Sequence, residues 1–460
     1  MNARLAAAIL LGKATAALSR TLGGGGGTVL PGRVARAVEP RLISLLASRL
    51  PAGTVIVAGT NGKTTTAHLL AHIMRACGRH PVHNRAGANL AAGIAAALVE
   101  HCDLSGRPRG DLGIFEVDEA TVPRVVPALA PRVVVFTNLF RDQLDRYGEI
   151  DHIAGLWRSA ARALPRELVC VANADDPLVY DAVRQLPAQV VTFGIEDDRY
   201  VLPALEHTAE ARYCYTCGTP YVYALTYFGH MGHYRCETCG TRRPDPDVAA
   251  RDVRLYGPEG SEATLAAGGA GSIRVRTVLP GLYNLYNVLA AAAAALQLGA
   301  PLPRVGEAVG SFVPAFGRGE RFRLGRDEVQ MLLVKNPAGF NEVLRTVLAA
   351  GPLPALLIAI NDLDADGRDV SWLWDVDFEL LSGRVGRVVA TGLRAADLAV
   401  RLRHAGLPPA AIDVVEDLER ALRRALELGE GRLFILPTYT AMLGLRRVLE
   451  RWGAARRFWE

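Results

Sequence analysis

Short apolar runs alternate with Ala/Leu-rich stretches along this chain from residue 54 onward. TVIVA (54–58), LGIFEV (112–117), RVVVFT (132–137), LVCVA (168–172) and QVVTF (189–193) are continuous apolar runs bounded by turn residues. That pattern suits parallel strands buried on both faces. A second series begins near 328: MLLVK (331–335), ALLIAI (355–360), RVVATG (387–392), IDVV (412–415) and RLFIL (432–436). Strands that alternate with helices predict α/β sheets. Residues 205–250 break the rhythm, being aromatic, polar and cysteine-rich, and read as an insertion. A long helix, LYNLYNVLAAAAAALQLG, then resumes it. The expected organisation is a helical segment over 1–50, a first α/β domain over 51–320 and a second over 321–460, joined near AFGRGERF (315–322).

Composition narrows the class. With 460 residues, half hydrophobic and 22% charged, the chain is globular and long enough for two or three cores. The net charge of +5 fits an anionic partner without requiring one. No apolar span is long enough for a transmembrane helix. LAAAILLGKATAAL resembles a signal peptide, but Lys13 interrupts it and no small-residue cleavage site follows. Residues 3–20 therefore read as a helix, either docked on the body or lying on a surface or membrane. The glycine-rich stretch 22–32 reads as a flexible link. Nothing calls for an oxidising compartment, so the expected location is cytoplasmic, with a peripheral position at the inner face of the plasma membrane left open.

The first chemistry lies in GTNGKTTT (59–66), after TVIVA and before KTTTAHLLAHIMRA. Strand, tight glycine turn and helix N-terminus together form an anion site. Gly59, Thr60, Asn61, Gly62, Lys63, Thr64 and Thr65 are the expected ATP-binding residues, with Lys63 on the β- and γ-phosphates and the Thr64 hydroxyl on Mg²⁺. Only two residues separate the glycines, where the usual phosphate loop has four. IFEVDEAT (114–121) brings Glu116, Asp118 and Glu119 to the end of a strand. Carboxylates suit a hard cation, so Glu116 and Glu119 join Thr64 as magnesium candidates. Solvated loop acids are the plain alternative. Glu116 argues against it, because it sits in an apolar run and needs a buried partner.

The second chemistry is C-x2-C-x18-C-x2-C, formed by Cys214, Cys217, Cys236 and Cys239. This is zinc-ribbon spacing, and Gly218 and Gly240 follow the pairs where a tight turn is needed. Four thiolates leave no open position, so the zinc would be structural. Cys77, Cys102 and Cys170 are scattered in apolar segments and read as small core residues. His230 and His233 are surplus to the zinc count and read as surface or packing residues. Arg235, Arg242 and Arg243 read as a solvated face, and no basic stripe supports nucleic-acid binding.

GTNGKTTT, FEVDEA, FTNLFRDQLDRYGE (136–149), NADDP (173–177), GLYNLYNVLAA (281–291) and FGRGERF (316–322) together resemble the Mur ligases, whose ATP loop is this short form. The resemblance implies a Mur ligase-type ATPase central domain with a zinc-ribbon insertion, followed by a C-terminal Rossmann-like α/β domain. It implies that ATP phosphorylates a carboxylate and that an amine then displaces phosphate. It also places Asn138 and Asp142 near nucleotide or metal, Asn287 on the adenine side and Arg318 at the domain junction. Asn173 and Asp175 belong to the same motifs, although NxDD serves equally as a turn and helix cap. Gln143 stands where typical members carry His. The loop begins at residue 59, too early for the uridine-nucleotide domain of most peptidoglycan members.

The cysteine insertion and LVKNPAGFNEVL (333–344), AINDLDADGRDVSWLWDVDFE (359–379) and LPTYTAML (436–443) narrow the likeness. They resemble the ligase subunits of lipid II isoglutaminyl synthases. That resemblance implies amidation of the α-carboxylate of D-glutamate in lipid II. The ammonia would come from a GatD-type glutamine amidotransferase in a heterodimer. No glutaminase nucleophile elbow is present in this chain. An aspartate of this subunit would complete the partner's Cys-His pair, with Asp369 and Asp375 the candidates among six between 362 and 377. A calcium loop is disfavoured there, since the terminal Glu of an EF-hand is lacking. Lys335, Asn336 and Asn341 are candidate substrate contacts or mere caps, and Thr438 and Tyr439 stand at similar odds. Two rivals remain: a Mur-type ligase adding a whole amino acid, and a subunit that binds ATP only as a structural ligand.

Overall fold

The computed structural model describes residues 3–21, 29–84, 87–142, 150–162, 167–314 and 317–455. Gln143, residues 22–28 of the glycine-rich stretch and part of the 315–322 junction lie outside them. Residues 30–32 of that stretch are helical, not a link, since they open the helix Leu30–Val38 with Pro31 in its first turn. Among the described residues, eleven strands precede residue 280: β1 (Thr54–Ala58), β2 (Pro81–His83), β3 (Leu112–Val117), β4 (Val133–Phe136), β5 (Val169–Asn173), β6 (Gln189–Ile195), β7 (Val222–Phe228), β8 (Met231–Arg235), β9 (Val248–Leu255), β10 (Ser261–Ala267) and β11 (Gly271–Thr277). Nine of them form one sheet in the order β11-β10-β9-β6-β5-β4-β1-β3-β2, while β7 and β8 make a separate hairpin. Seven neighbours from β2 to β9 run parallel, and β10 and β11 add an antiparallel edge. β1 and β3 are buried along their whole length, as their unbroken apolar runs require.

Two elements fix the ATP-side core. The helix Lys63–Ala76 follows β1 directly. The helix Leu282–Gln297 packs against it, and its run Ala290–Ala295 is fully buried. Small side chains let this helix approach closely, and alanine costs nothing in helix propensity. The second sheet holds β12 (Arg318–Leu324), β13 (Asp327–Leu332), β14 (Leu353–Ala359), β15 (Val385–Thr391), β16 (Ile412–Val414) and β17 (Arg432–Pro437), in the order β12-β13-β17-β14-β15-β16. All its pairs are parallel except β12 with β13.

Three expectations need correction. MLLVK is not a strand throughout: β13 ends at Leu332, and the chain turns out so that Asn336 can cap the helix Pro337–Leu348. Proline at the first helical position disfavours helix before it, which leaves Lys335 in an extended linker. The insertion does not simply give way to a helix, because β9–β11 widen the sheet between them. Arg243 is not solvated: its side chain is 7% exposed and pairs with Asp175 and Glu196 at 2.5 and 2.7 Å.

That pairing also explains NADDP. Asn173 Oδ1 accepts from Asp175 N, and Asp176 caps the helix Pro177–Val183. Asp175 is fully buried, and it accepts from the Tyr286 hydroxyl at 2.6 Å and from Ile195 N at 2.8 Å as well as from Arg243. Arg243→Ala would leave this carboxylate buried without its main countercharge. It is expected to destabilise the fold by about 3–5 kcal/mol, read as a lower denaturation midpoint at unchanged slope.

Candidate active site

The loop after β1 is shaped by two glycines. Gly59 has φ of +141° and Gly62 of +82°. A Cβ on Gly59 would lie 2.0 Å from Thr137 Oγ1, and one on Gly62 1.9 Å from Asn287 Oδ1. Only glycine fits either place. Asn138, at the end of β4, holds the loop from below: its Oδ1 accepts from Asn61 N at 2.8 Å and its Nδ2 donates to Asn61 O at 3.1 Å. Thr60 Oγ1 donates to Phe140 O at 3.0 Å. Thr65 is buried, and the neighbouring Thr66 Oγ1 donates to Asn287 Oδ1 at 3.4 Å. The loop N–H groups and the helix start behind them provide a cradle for phosphate.

The charged groups gather over this loop. Lys63 Nζ donates to the Gly59 and Thr60 carbonyls and to Glu119 Oε2, the last at 2.9 Å, with both side chains 6% exposed. Thr64 Oγ1 donates to Glu116 Oε2 at 2.6 Å. Burial opposes ionisation of Glu119, but Lys63 and Lys335 outweigh it and hold the carboxyl below its ordinary value. Trp157 Nε1 donates to the Glu119 carbonyl at 3.0 Å and fixes this corner. Asp118 accepts from Ala120 N and belongs to the local turn. The donor set of one hydroxyl and two carboxylates fits Mg²⁺.

The second domain closes the site. Lys335 Nζ donates to Asp142 Oδ2 at 2.5 Å, and Asn336 exchanges hydrogen bonds with Asn61 at 2.9 and 3.3 Å. Asn336 also caps its helix, so the capping and cleft readings both hold for one residue. Burial raises the Asp142 carboxyl despite Lys335. Burial lowers the Arg318 guanidinium, and Glu116 is the charge that most opposes this. The Arg318 guanidinium has no hydrogen bond or ion pair among the described residues, which leaves it available to an anion at the junction. Asn341 is not brought to the loop: its amide exchanges bonds with Asp377 at 2.9 and 3.0 Å. Thr438 accepts from Asn361 N at 2.9 Å. The Tyr439 hydroxyl lies close enough to Gly87 that a Cβ there would stand 2.8 Å away.

The six aspartates differ in their partners. Asp362 pairs with Arg394 and Asp364 with Arg368, each at 2.6 Å, and Asp366 accepts from Thr440 N at 2.8 Å. Asp377 is bound by Asn341. Asp375 Oδ2 meets Arg141 at 2.6 Å. Asp369 is exposed, and its carboxylate accepts from Ser371 N at 2.8 Å. Asp369 and Asp375 share one cavity with Arg141, Asp142, Lys335 and Asn336. Sequence reasoning missed Arg141, although it lies beside Asp142 in a motif already singled out. It missed Asn84 too, whose amide brackets the Glu116 backbone with two bonds of 2.9 Å.

The four cysteine sulfurs lie within 4.8 Å of one another. A tetrahedral zinc with bonds of about 2.3 Å would hold them about 3.8 Å apart. The two knuckles are near copies: Gly218 N donates to Cys214 O at 2.7 Å, and Gly240 N to Cys236 O at 3.1 Å. Both glycines have positive φ, +75° and +74°. Four sulfurs at this spacing fit one zinc ion with no place left for a substrate. His230, by contrast, is fully buried, with its ring 4.5 Å from Phe140.

Comparison with known proteins decides the family. The Mur ligase middle domain matches residues 57–295, and the MurT ligase C-terminal domain matches 333–442. Subunit MurT of the glutamine-hydrolyzing lipid II isoglutaminyl synthase of Staphylococcus aureus (strain COL) is 32% identical over 96% of this chain and 97% of its own length. The chain belongs to the MurT family. The MurT subunit of Streptococcus pneumoniae is also 32% identical, over 98% of both chains. A pseudomurein peptide ligase type C from Methanothermus fervidus shares the fold, with a TM-score of 0.65 at 22% identity over 88% of this chain and 80% of that one. As a MurT-family chain with the Mur ligase middle domain, it is an ATP-dependent ligase of peptidoglycan synthesis, and its fold implies use of ATP and Mg²⁺.

Lys63→Met is expected to lower ligase activity by roughly 10²–10³-fold, since it removes a preorganised countercharge. Circular dichroism should show an unchanged fold. Elemental analysis of the purified chain is expected to find zinc equimolar with protein, and Cys236→Ser to lose it.

Proposed function

We propose that this chain amidates the α-carboxylate of D-glutamate in the stem peptide of lipid II, giving D-isoglutamine. Ammonia would come from a GatD-type glutamine amidotransferase bound as a heterodimer. The observation that carries this reading is the likeness to MurT subunits along the whole chain, including the aspartate-rich segment beside the ATP cleft.

The chemistry follows from the groups present. A carboxylate oxygen is a poor leaving group, so the substrate carboxylate attacks the γ-phosphorus and the bond to ADP breaks. Ammonia then attacks the carbonyl carbon of the acyl phosphate, and inorganic phosphate leaves with the C–O electron pair. Thr64, Glu116 and Glu119 would hold Mg²⁺, which when bound spreads the charge of the transferring phosphoryl group. Lys63 exchanges Glu119 for phosphate oxygens. Gly59 to Thr65 cradle the phosphates, with Asn138 holding the loop and Asn287 beside it on the adenine side. Arg318 approaches from the junction, while Lys335 and Asn336 bring the second domain onto the loop and contact substrate. Asn341 serves that domain through Asp377. Cys214, Cys217, Cys236 and Cys239 hold a structural zinc.

For the partner's histidine, Asp369 is the stronger candidate. Asp375 is already neutralised by Arg141, whereas Asp369 is exposed and kept ionised by the Ser371 N–H. Such an acid would orient and stabilise the histidine as it gains a proton.

The test is amidation of lipid II by the purified chain with ATP and Mg²⁺, read by mass spectrometry. Glutamine should give product only when the amidotransferase subunit is added. Asp369→Asn should depress glutamine-driven turnover more than Asp375→Asn does, with ATP binding unchanged. Product from a free amino acid without the partner would overturn the reading in favour of an amino-acid ligase.

A further inference from the structure

The helix Ala3–Thr21 meets the body along one narrow face, where Leu5, Ala8, Ile9 and Gly12 are buried. Gly12 marks how close the contact is: a Cβ there would lie 3.0 Å from Val99 and 3.2 Å from the Ala35 Cβ. The opposite face is where polar residues belong on a helix of a water-soluble domain. Here it carries Ala7, Leu10, Leu11, Ala14, Ala17 and Leu18, all exposed. Leu10, Leu11 and Leu18 are 56%, 46% and 60% exposed. The six positions recur at spacings of three, four and seven residues and make a continuous ridge along the helix. Leu30, at the start of the helix Leu30–Val38 that packs against it, is also 53% exposed.

Charge is distributed to match. The first 38 residues hold five basic side chains (Arg4, Lys13, Arg20, Arg33 and Arg36) and no acidic one. The first carboxylate is Glu39. The whole formal excess of +5 therefore falls in this segment, and the remainder of the chain has 47 charges of each sign. A neutral body with one basic, apolar-ridged end is polarised toward an anionic surface. No helix among the described residues is long and apolar enough to cross a membrane.

We propose that the helix Ala3–Thr21 docks in the interface of an anionic bilayer, with the Leu10–Leu11–Leu18 ridge in the acyl boundary and the net positive charge of this end of the chain facing the headgroups. An exposed apolar ridge with basic residues around it suits the boundary between headgroups and acyl chains. The lipid-linked substrate proposed above gives such docking its use, because the cleft would then meet a substrate confined to that surface. A protein partner is less well matched, since the ridge presents no hydrogen-bonding group to specify one.

Co-sedimentation with vesicles tests this without substrate, so its failure and failure of the amidation assay are read separately. The full chain is mixed with vesicles of phosphatidylcholine alone or of phosphatidylcholine with phosphatidylglycerol. Binding is expected to the second only and to weaken with salt. Replacing two of the three ridge leucines, Leu10→Gln with Leu11→Gln, should weaken it by roughly tenfold or more, with the thermal midpoint unchanged because both positions are exposed. Arg33→Gln should lower affinity and flatten the salt dependence. Absence of binding to anionic vesicles would overturn the proposal. So would equal binding of the double variant, or self-association of the chain that the same substitutions abolish without any vesicle binding.

Discussion

Lys63 and Glu119 face each other with almost no solvent, and Asp142 is buried against Lys335 from the other domain. Removing charges from water costs several kcal/mol per ion unless each finds a partner. The cleft is built to meet that demand internally. One pair lies within the ATP domain and the other across the two domains. Glu119 feels both lysines, so the pairs behave as one electrostatic unit. Phosphate and Mg²⁺ would each replace a partner already present: the anion takes over Lys63 and the cation takes over Glu119. Binding is then an exchange of ionic partners rather than the burial of new charge.

Much of the ATP side was legible in the sequence because it is local. TVIVA, the two glycines and the following helix are contiguous, and the helix spans the residues expected of it, Lys63–Ala76. The cysteine spacing likewise brought four sulfurs together in one place. What escaped was set by partners distant in sequence. Arg243 reads as a surface charge until Asp175, far back in the chain, is seen buried beside it. Strands β9–β11 lack the continuous apolar runs of the parallel core, since β10 alternates buried and half-buried positions at the antiparallel edge. Lys335 was read as the end of a strand, but the proline two residues later and the cap at Asn336 draw it into the linker that reaches Asp142. The aspartates of 362–377 could not be ranked by spacing, because their differences lie in Arg394, Arg368, Thr440, Asn341 and Arg141.

The insertion is tied to the segment holding those aspartates. Arg345, on the helix Pro337–Leu348, pairs with Glu206 and lies 3.4 Å from Asp377. His207 Nε2 meets the Asp375 carbonyl at 3.1 Å, and Glu210 lies 3.5 Å from Arg141. These three insertion residues immediately precede the first knuckle. The segment leading into the cysteine cluster therefore reaches Asp375 and Asp377 by short contacts rather than through the sheet.

The position of the insertion bears on how the chain folds. Strands β6 and β9 are parallel neighbours, yet residues 196–247 separate them. Closing a loop of that length costs entropy before any strand pairing repays it, and such non-local pairing slows folding. The hairpin β7–β8 and the two knuckles make their contacts within a short span inside this loop. Their early formation would shorten the segment left to close and bring the ends of β6 and β9 together. The cysteine cluster would then act as a fastener that shortens the way from β6 to β9, on which the antiparallel edge depends.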